Sequence, residues 1–228
     1  MKLEEVKKGY TRVARKYDQL LHFWFGKILH LEKYRKEAVE WLELREGDTV
    51  VDIGCGTGVN FPFLEEKIGN QGKIIGLDYT EAMLKEARDK IRRNRWTNII
   101  LIRGDAVHIN ELIKTEVEAV ISTYCFSILY DLEKAFLNAL KVLKPGGRVV
   151  ILDAKKVKPD NKLISWIIYP IYRRIVKRYG ILSDEDLDEG NAAKKWELWQ
   201  RVTKEKLLNR KQKELLWGMF FIFRGEKS

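Results

Sequence analysis

An aspartate and three alternating glycines follow a short apolar run, and these residues are the ones in the chain best suited to bind a cofactor. Residues 50–58 read VVDIGCGTG, with Gly54, Gly56 and Gly58 at every second position after Asp52. The apolar run predicts a buried strand, and glycines let the backbone turn sharply and lie directly against a ligand. Ligands of open α/β sheets bind at the carboxyl ends of strands, so we expect a nucleotide-like cofactor here.

The spacing of the glycines argues against the two common phosphate-binding loops. A dinucleotide fingerprint has the pattern G-x-G-x-x-G, but Val59 stands where the third glycine would be. No Gly-Lys-Ser/Thr follows, so the stretch is not a P-loop either. The carboxylate of Asp52 would repel a phosphate, whereas it suits a cationic ligand.

Residues 52–58 resemble motif I of the class I S-adenosylmethionine (SAM) methyltransferases, whose cofactor carries an ammonium and a sulfonium group. The resemblance implies that SAM is the cofactor and that this loop binds it. The alternative that remains open is a tight strand-to-helix turn without a ligand. The predicted contacts from the loop are Asp52, Gly54, Cys55, Gly56, Thr57 and Gly58.

Further acidic residues follow predicted strands at suitable distances. The run that ends at Asp78 reads as a second strand, and its carboxylate can accept both ribose hydroxyls of a nucleoside. Tyr79 is expected to pack against adenine, with Met83 nearby on the next helix. In the methyltransferase family the acid after the third strand binds the adenine amino group, and Asp105, followed by Ala106, matches it.

The segment after the fourth predicted strand lies where a methyl acceptor should approach. Ser122 is counted with the cofactor contacts, and Tyr124 and Ser127 are the predicted acceptor-side catalytic residues. A His/Asp pair is not required, because in-line methyl transfer needs the protein mainly to orient the acceptor and exclude water. We interpret Cys125 as a packing cysteine rather than as the nucleophile of an RNA cytosine methyltransferase.

These motifs predict one α/β domain with a Rossmann-like, seven-stranded, mostly parallel sheet, helices on both faces and a helical amino-terminal extension. The final strand is expected over residues 217–223, whereas residues 198–213 are too charged and too aperiodic to divide between helix and strand. The predicted parts are a helical cover (1–46), a SAM-binding core (47–154), a helical insertion over the acceptor site (155–200) and carboxyl-terminal strands (201–228).

The amino-terminal segment carries a second resemblance. Residues 10–20, YTRVARKYDQL, look like the opening of the quinone-biosynthesis C-methyltransferases, which the soluble bacterial phosphatidylethanolamine N-methyltransferases share. In this group the opening tyrosine lies close to the cofactor, so Tyr17 is a predicted cofactor-binding and catalytic residue. Asp153 departs from the quinone enzymes, which have a glutamate at this position. The resemblance implies an amphiphilic acceptor, either a phospholipid headgroup amine or a prenylated quinone precursor.

The net charge of +10 is unevenly distributed. Residues 155–178 contain eight lysines and arginines against Asp160 as the one acid, and a stripe of isoleucines runs through them. Apolar residues beside cations are typical of an interfacial helix, so an anionic membrane surface is a predicted partner. Aromatic residues at 22–25 would extend this surface. A nucleic acid and a merely solvated charged face remain alternatives.

Cysteine usage and the lack of targeting signals indicate a cytoplasmic protein. Cys55 and Cys125 have neither a CxxC nor a metal-ligand spacing, and the longest apolar run, residues 163–172, is too short to span a bilayer. We expect a cytoplasmic location, with a peripheral position at the inner membrane surface left open, and no metal. The sequence does not indicate an oligomeric state. Other functions left open are an RNA or other small-molecule methyltransferase, and a catalytically idle SAM-binding or membrane-adaptor protein.

Overall fold

A computed structural model describes residues 3–20, 31–179 and 182–228. The predicted aromatic stretch at 22–25 lies outside these residues. None of the helices in the described part combines the length and the apolar character needed to cross a membrane. The described helices are α1 (Leu3–Leu20), α2 (Leu31–Trp41), α3 (Phe61–Ile68), α4 (Glu81–Asn94), α5 (Ile109–Leu112), α6 (Leu132–Val142), α7 (Lys162–Tyr179) and α8 (Glu189–Lys206).

One seven-stranded sheet organises the described residues. Its strands are β1 (Thr49–Ile53), β2 (Lys73–Asp78), β3 (Ile99–Arg103), β4 (Val117–Thr123), β5 (Leu143–Ala154), β6 (Leu207–Leu215) and β7 (Phe220–Lys227). They lie in the order β3-β2-β1-β4-β5-β7-β6. Strands β1 to β5 pair in parallel, and β7 is antiparallel to both β5 and β6. The predicted mostly parallel, Rossmann-like sheet is therefore confirmed.

Two strand boundaries differ from the sequence expectation, for local reasons. The last strand begins at Phe220, because Trp217 and Gly218 adopt positive φ in the turn that precedes it. The charge-rich region before that turn divides at Leu207, where α8 ends and β6 begins. The second helix of the predicted insertion therefore continues to Lys206. Its buried Trp199 and Val202 favour a helix because they lie three residues apart and face the core.

The core lies on both faces of the sheet because successive strand residues point to opposite sides. Val51 contributes to a cluster with side chains of α5, α6 and α8. Its neighbour Val50 contributes to a separate cluster with side chains of α2, α3 and α4. The sheet is thus covered by helices on both sides, and the carboxyl ends of β1, β2 and β4 remain available at one edge.

Trp199 joins the helical insertion to the sheet. Its side chain is 2% exposed. The indole ring lies edge-on to Phe136 with the centroids 4.8 Å apart, and to Phe223 with the centroids 5.3 Å apart. It also meets Phe126, in the segment between β4 and α6, with the centroids 6.1 Å apart. This aromatic cluster holds α8 in place beside that segment.

We predict that Trp199→Ala lowers the free energy of unfolding by about 3–5 kcal/mol, because it leaves a large cavity among aromatic rings. Urea unfolding followed by circular dichroism measures the change. Trp166→Ala is the matched control, since the Trp166 side chain is 78% exposed. Its effect should stay within about 0.5 kcal/mol. Equal losses in the two variants would contradict the structural role given to Trp199.

Candidate functional site

A cavity of about 860 Å³ opens where β1, β2 and β4 end. The structure brings ten of the predicted site residues to its lining. They are Tyr17, Gly54, Cys55, Gly56, Asp78, Tyr79, Met83, Asp105, Ala106 and Tyr124.

The glycine loop adopts a backbone conformation that other residues rarely accept. Gly54, Gly56 and Gly58 have φ values of 68°, 56° and 73°. A Cβ on Gly54 would also lie 2.3 Å from the sulfur of Cys125. The alternating glycines therefore let the loop turn tightly past the end of β4 while its backbone borders the cavity.

Asp78 at the end of β2 fastens this loop. One carboxylate oxygen accepts a hydrogen bond from the Gly56 N–H at 2.9 Å, and the other accepts one from the Thr80 N–H at 2.7 Å. Burial raises the pKa of Asp78 to about 6. The carboxylate lines the cavity and keeps lone pairs that can accept hydrogen bonds from ligand hydroxyl groups.

Asp105 lies on another wall of the cavity, after β3. Its carboxylate accepts a hydrogen bond from the Val107 N–H at 2.9 Å and one from the Tyr130 hydroxyl at 2.9 Å. Tyr130 lines the same cavity, and the sequence analysis did not single it out. No motif marks this tyrosine, because only the fold brings the segment before α6 next to the end of β3.

Helix α1 covers the cavity through its Tyr-Asp pair. The Tyr17 ring lines the cavity beside Tyr10, with the ring centroids 6.1 Å apart. The next residue, Asp18, accepts a hydrogen bond from the Thr57 hydroxyl and forms an ion pair with Lys90 at 2.8 Å. The pair therefore places an aromatic ring over the cavity and ties the helix to the glycine loop.

Four of the predicted cofactor contacts lie behind the lining of this cavity: Asp52, Thr57, Gly58 and Ser122. Asp52 is fully buried, its carboxylate accepts hydrogen bonds from the Asn60 amide at 3.1 Å, and burial raises its pKa to about 7. The Ser122 hydroxyl donates to the Ile53 carbonyl at 2.8 Å, which ties β4 to β1. A direct cofactor contact by any of these four remains a prediction.

Arg35 is a site residue that the sequence analysis missed. It comes from α2, is 5% exposed and lines the cavity. Its guanidinium donates to the Asn60 amide oxygen at 3.2 Å and to the Thr123 hydroxyl, and it lies 4.8 Å from the centroid of the Tyr124 ring. It forms no ion pair with a described residue. Nothing in the sequence distinguishes Arg35 from the other charged residues of α2, so its place in the cavity could not be predicted.

A second cavity, of about 750 Å³, adjoins the first. Ser127 lines this second cavity, Tyr124 lines the first, and Ile128 borders both. The two predicted acceptor-side residues both belong to the segment between β4 and α6, but they border different cavities. The Tyr124 hydroxyl is buried and has no hydrogen-bond partner among the described residues, so it is available to a ligand.

Asp153 at the end of β5 provides a carboxylate in the second cavity. It is 2% exposed and accepts hydrogen bonds from the Ser127 N–H at 3.1 Å and the Ala154 N–H at 2.6 Å. Burial raises its pKa, and it forms no ion pair with a described residue. Such a carboxylate can take up a proton, because no neighbouring cation holds it in the ionised form.

Comparison with protein families and curated proteins gives consistent relatives. The model described as "ubiE/COQ5 methyltransferase family" matches residues 1–192. A demethylmenaquinone methyltransferase of Desulfitobacterium hafniense is 34% identical over 169 residues, which cover 72% of this chain and 64% of that protein. A 2-phytyl-1,4-naphtoquinone methyltransferase of Thermosynechococcus vestitus is 28% identical over 179 residues, which cover 78% and 77%. The match thus spans slightly less than two thirds of the Desulfitobacterium protein.

Solved structures share the fold across the whole chain. A SAM-dependent methyltransferase from Aquifex aeolicus superposes with a TM-score of 0.64 at 20% identity, covering 94% of this chain and 98% of that one. A protein from Methanococcus maripaludis that is also named as an S-adenosylmethionine-dependent methyltransferase superposes with a TM-score of 0.66 at 20% identity. The superposition covers 97% of this chain and 95% of that one. The predicted methyltransferase fold is confirmed.

We predict that Asp78→Asn weakens the binding of S-adenosylhomocysteine by about 1.5–3 kcal/mol near neutral pH, because hydrogen bonds to a charged acceptor are lost. Isothermal calorimetry measures this affinity. The wild-type affinity should also fall as the pH falls through about 6, since proton uptake removes the charge on Asp78. Proton uptake by Asp52 acts in the same direction, because the ammonium group of this ligand loses a nearby negative charge.

Asp89→Asn is the control, because Asp89 lies on the outer surface of α4 and pairs with Arg92. It should leave both the affinity and its pH dependence unchanged. The pH dependence of the Asp78→Asn variant should be shallower than that of the wild type, since only Asp52 contributes. A variant that binds as tightly as the wild type would show that the ribose lies elsewhere.

Proposed function

We propose that this chain, which belongs to the ubiE/COQ5 methyltransferase family, transfers a methyl group from S-adenosylmethionine to a ring carbon of an isoprenoid quinol precursor. The observation that carries the proposal is the buried carboxylate of Asp153, which forms no ion pair with a described residue. It lies in the second cavity, the proposed acceptor cavity, which adjoins the first, the proposed cofactor cavity. The names of the menaquinone and phylloquinone-type relatives support a quinone rather than a lipid amine as the acceptor.

S-adenosylmethionine is the cofactor, and when bound it supplies a methyl group on a positively charged sulfur. Asp78 would hold the ribose hydroxyls, and Asp105 the adenine amino group, through hydrogen bonds to their carboxylates. Arg35 suits the methionyl carboxylate, because its buried guanidinium forms no ion pair with a described residue and a ligand carboxylate would supply the counter-charge. Tyr17 borders the same cavity and helps to exclude water.

Methylation at a ring carbon requires that the acceptor first be made nucleophilic. When a quinol hydroxyl loses its proton, electron density moves to the neighbouring ring carbon, which forms the new carbon–carbon bond as the methyl–sulfur bond breaks. The ring carbon then loses its own proton, the aromatic ring is restored, and the quinol oxygen takes up a proton again. Each turnover thus releases one proton overall, and the protein needs a group that accepts protons beside the ring.

Asp153 is suited to that proton transfer. Its raised pKa brings it closer to neutral pH, where a general base is most effective. The Ser127 N–H holds the carboxylate in place, and Tyr172 and Trp196 provide an apolar surround for a ring. The acceptor would lie between Asp153 and the segment that separates the two cavities.

The proposal is tested with the tritiated methyl group of S-adenosylmethionine and three acceptors offered separately. These are a reduced demethylated naphthoquinol with a short tail, phosphatidylethanolamine vesicles, and total RNA. We expect the label in the quinol, as a carbon-bound methyl group that base treatment does not release. Label in the lipid amine or in RNA would overturn the acceptor class. Cofactor binding without labelled product in any of the three would indicate an idle SAM-binding protein.

We predict that Asp153→Asn lowers kcat for the quinol by about 10²–10⁴, because the amide cannot accept the proton. The affinity for S-adenosylhomocysteine should not change, since Asp153 lies outside the cofactor cavity. In the wild type the rate should rise with pH as Asp153 ionises, and this rise should be absent from the pH profile of the variant. Asp153→Glu, which keeps a carboxyl group, should retain more activity. An unchanged pH profile in the asparagine variant would assign the proton to another group.

A further inference from the structure

Helix α7 turns apolar side chains outward. Four of the nine large apolar side chains classed as exposed among the described residues lie within nine positions of this one helix. Their exposed fractions are 66% for Leu163, 78% for Trp166, 49% for Ile167 and 60% for Ile171. A contiguous exposed apolar patch of this kind usually marks an interaction site.

The opposite side of α7 already has its partners. Tyr169, Tyr172 and Val176 pack against Val157 and Leu187 in a small separate cluster. The outward residues are therefore not a core face left unpacked. Helix α7 therefore has apolar side chains on two sides, and only one of these sides packs against described residues.

Cations continue the same face toward the end of the helix. At 100° per residue, Leu163, Ile167, Ile171, Arg174 and Arg178 fall within a sector of about 80°. Arg174 and Arg178 are exposed and form no ion pair with a described residue. The outward face is therefore apolar along its first half and basic along its second.

A groove leads from this face to the acceptor cavity. Trp166 and Tyr169 line the groove at its outer part. Five residues line both the groove and the acceptor cavity: Lys155, Lys156, Val157, Ala192 and Trp196. A molecule with its ring in the cavity and a long apolar tail in the groove would therefore emerge at the outward face of α7.

We propose that the outward face of α7 docks on an anionic lipid bilayer, and that the acceptor reaches its cavity from that bilayer through the groove. The apolar side chains enter the boundary between headgroups and acyl chains, and the two arginines meet lipid phosphates. The route of the acceptor rests on the proposed function, whereas the docking does not.

Charge and apolarity together favour a bilayer over the other occupants of such a face. Nucleic acid would match Arg174 and Arg178 but offers nothing to Leu163, Ile167 and Ile171. A second copy of the chain would match the apolar residues, but its α7 contains no acidic residue that could pair with the two arginines. A bilayer with anionic headgroups satisfies both halves of the face.

Vesicle flotation tests the docking without requiring catalysis. The wild-type chain should float with vesicles that contain phosphatidylglycerol, and less with pure phosphatidylcholine. Leu163→Ser/Ile171→Ser should lower the partition coefficient by roughly tenfold or more, because apolar area no longer enters the lipid, and neither residue lines the groove. Arg174→Glu/Arg178→Glu should abolish the preference for anionic lipid. Leu208→Ser is the matched control, since Leu208 is 57% exposed on β6, away from α7, and it should float as the wild type does.

Several outcomes would overturn the docking. They are a wild type that floats with neither vesicle, a Leu163→Ser/Ile171→Ser variant that floats like the wild type, and a wild-type dimer in light scattering that is a monomer in this variant. For the route, this variant should methylate a long-tailed quinol in vesicles more slowly and a short-tailed soluble quinol at the normal rate. Flotation without any quinol methylation would refute the proposed function and leave the docking supported.

Discussion

A single carboxylate, that of Asp78, holds together the parts on which the cofactor cavity depends. Its two oxygens accept hydrogen bonds from the Gly56 N–H in the glycine loop and from the Thr80 N–H at the start of α4. The loop can reach it because Gly54 and Gly56 adopt positive φ. The same carboxylate lines the cavity, so one interaction both shapes the site and presents an acceptor to the ligand. Burial raises its pKa to about 6, so its charge changes just below neutral pH.

Two further charged groups are buried and form no ion pair with a described residue, and they border different cavities. Arg35 borders the cofactor cavity, and Asp153 borders the neighbouring one. Burying an uncompensated charge reduces stability, so such groups are expected where a ligand or a proton compensates them. The proposed function uses both groups, Arg35 for the carboxylate of the cofactor and Asp153 for the proton of the acceptor.

The helical insertion links this chemistry to the surface. Its second helix, α8, is anchored by Trp199 in the aromatic cluster of the core. The first helix, α7, rests on that support through Tyr169, Tyr172 and Val176 and leaves its other side uncovered. The groove that leads from α7 to the proposed acceptor cavity therefore lies between the firmly packed α8 and the exposed side of α7. An amphiphilic acceptor matches this geometry better than a fully polar one does.

The sequence by itself determined the parallel strands, the glycine loop and the acids that follow β2 and β3, because apolar runs, glycine spacing and strand-end acids are local patterns. Only the tertiary structure decided that Arg35 and Tyr130 join the cofactor cavity, that Asp52 turns toward Asn60, and that Tyr124 and Ser127 border different cavities. It also decided which side of α7 is covered. These features depend on contacts between residues far apart in the chain, and the orientation of a side chain toward a cavity or a neighbour leaves no periodic trace in the sequence.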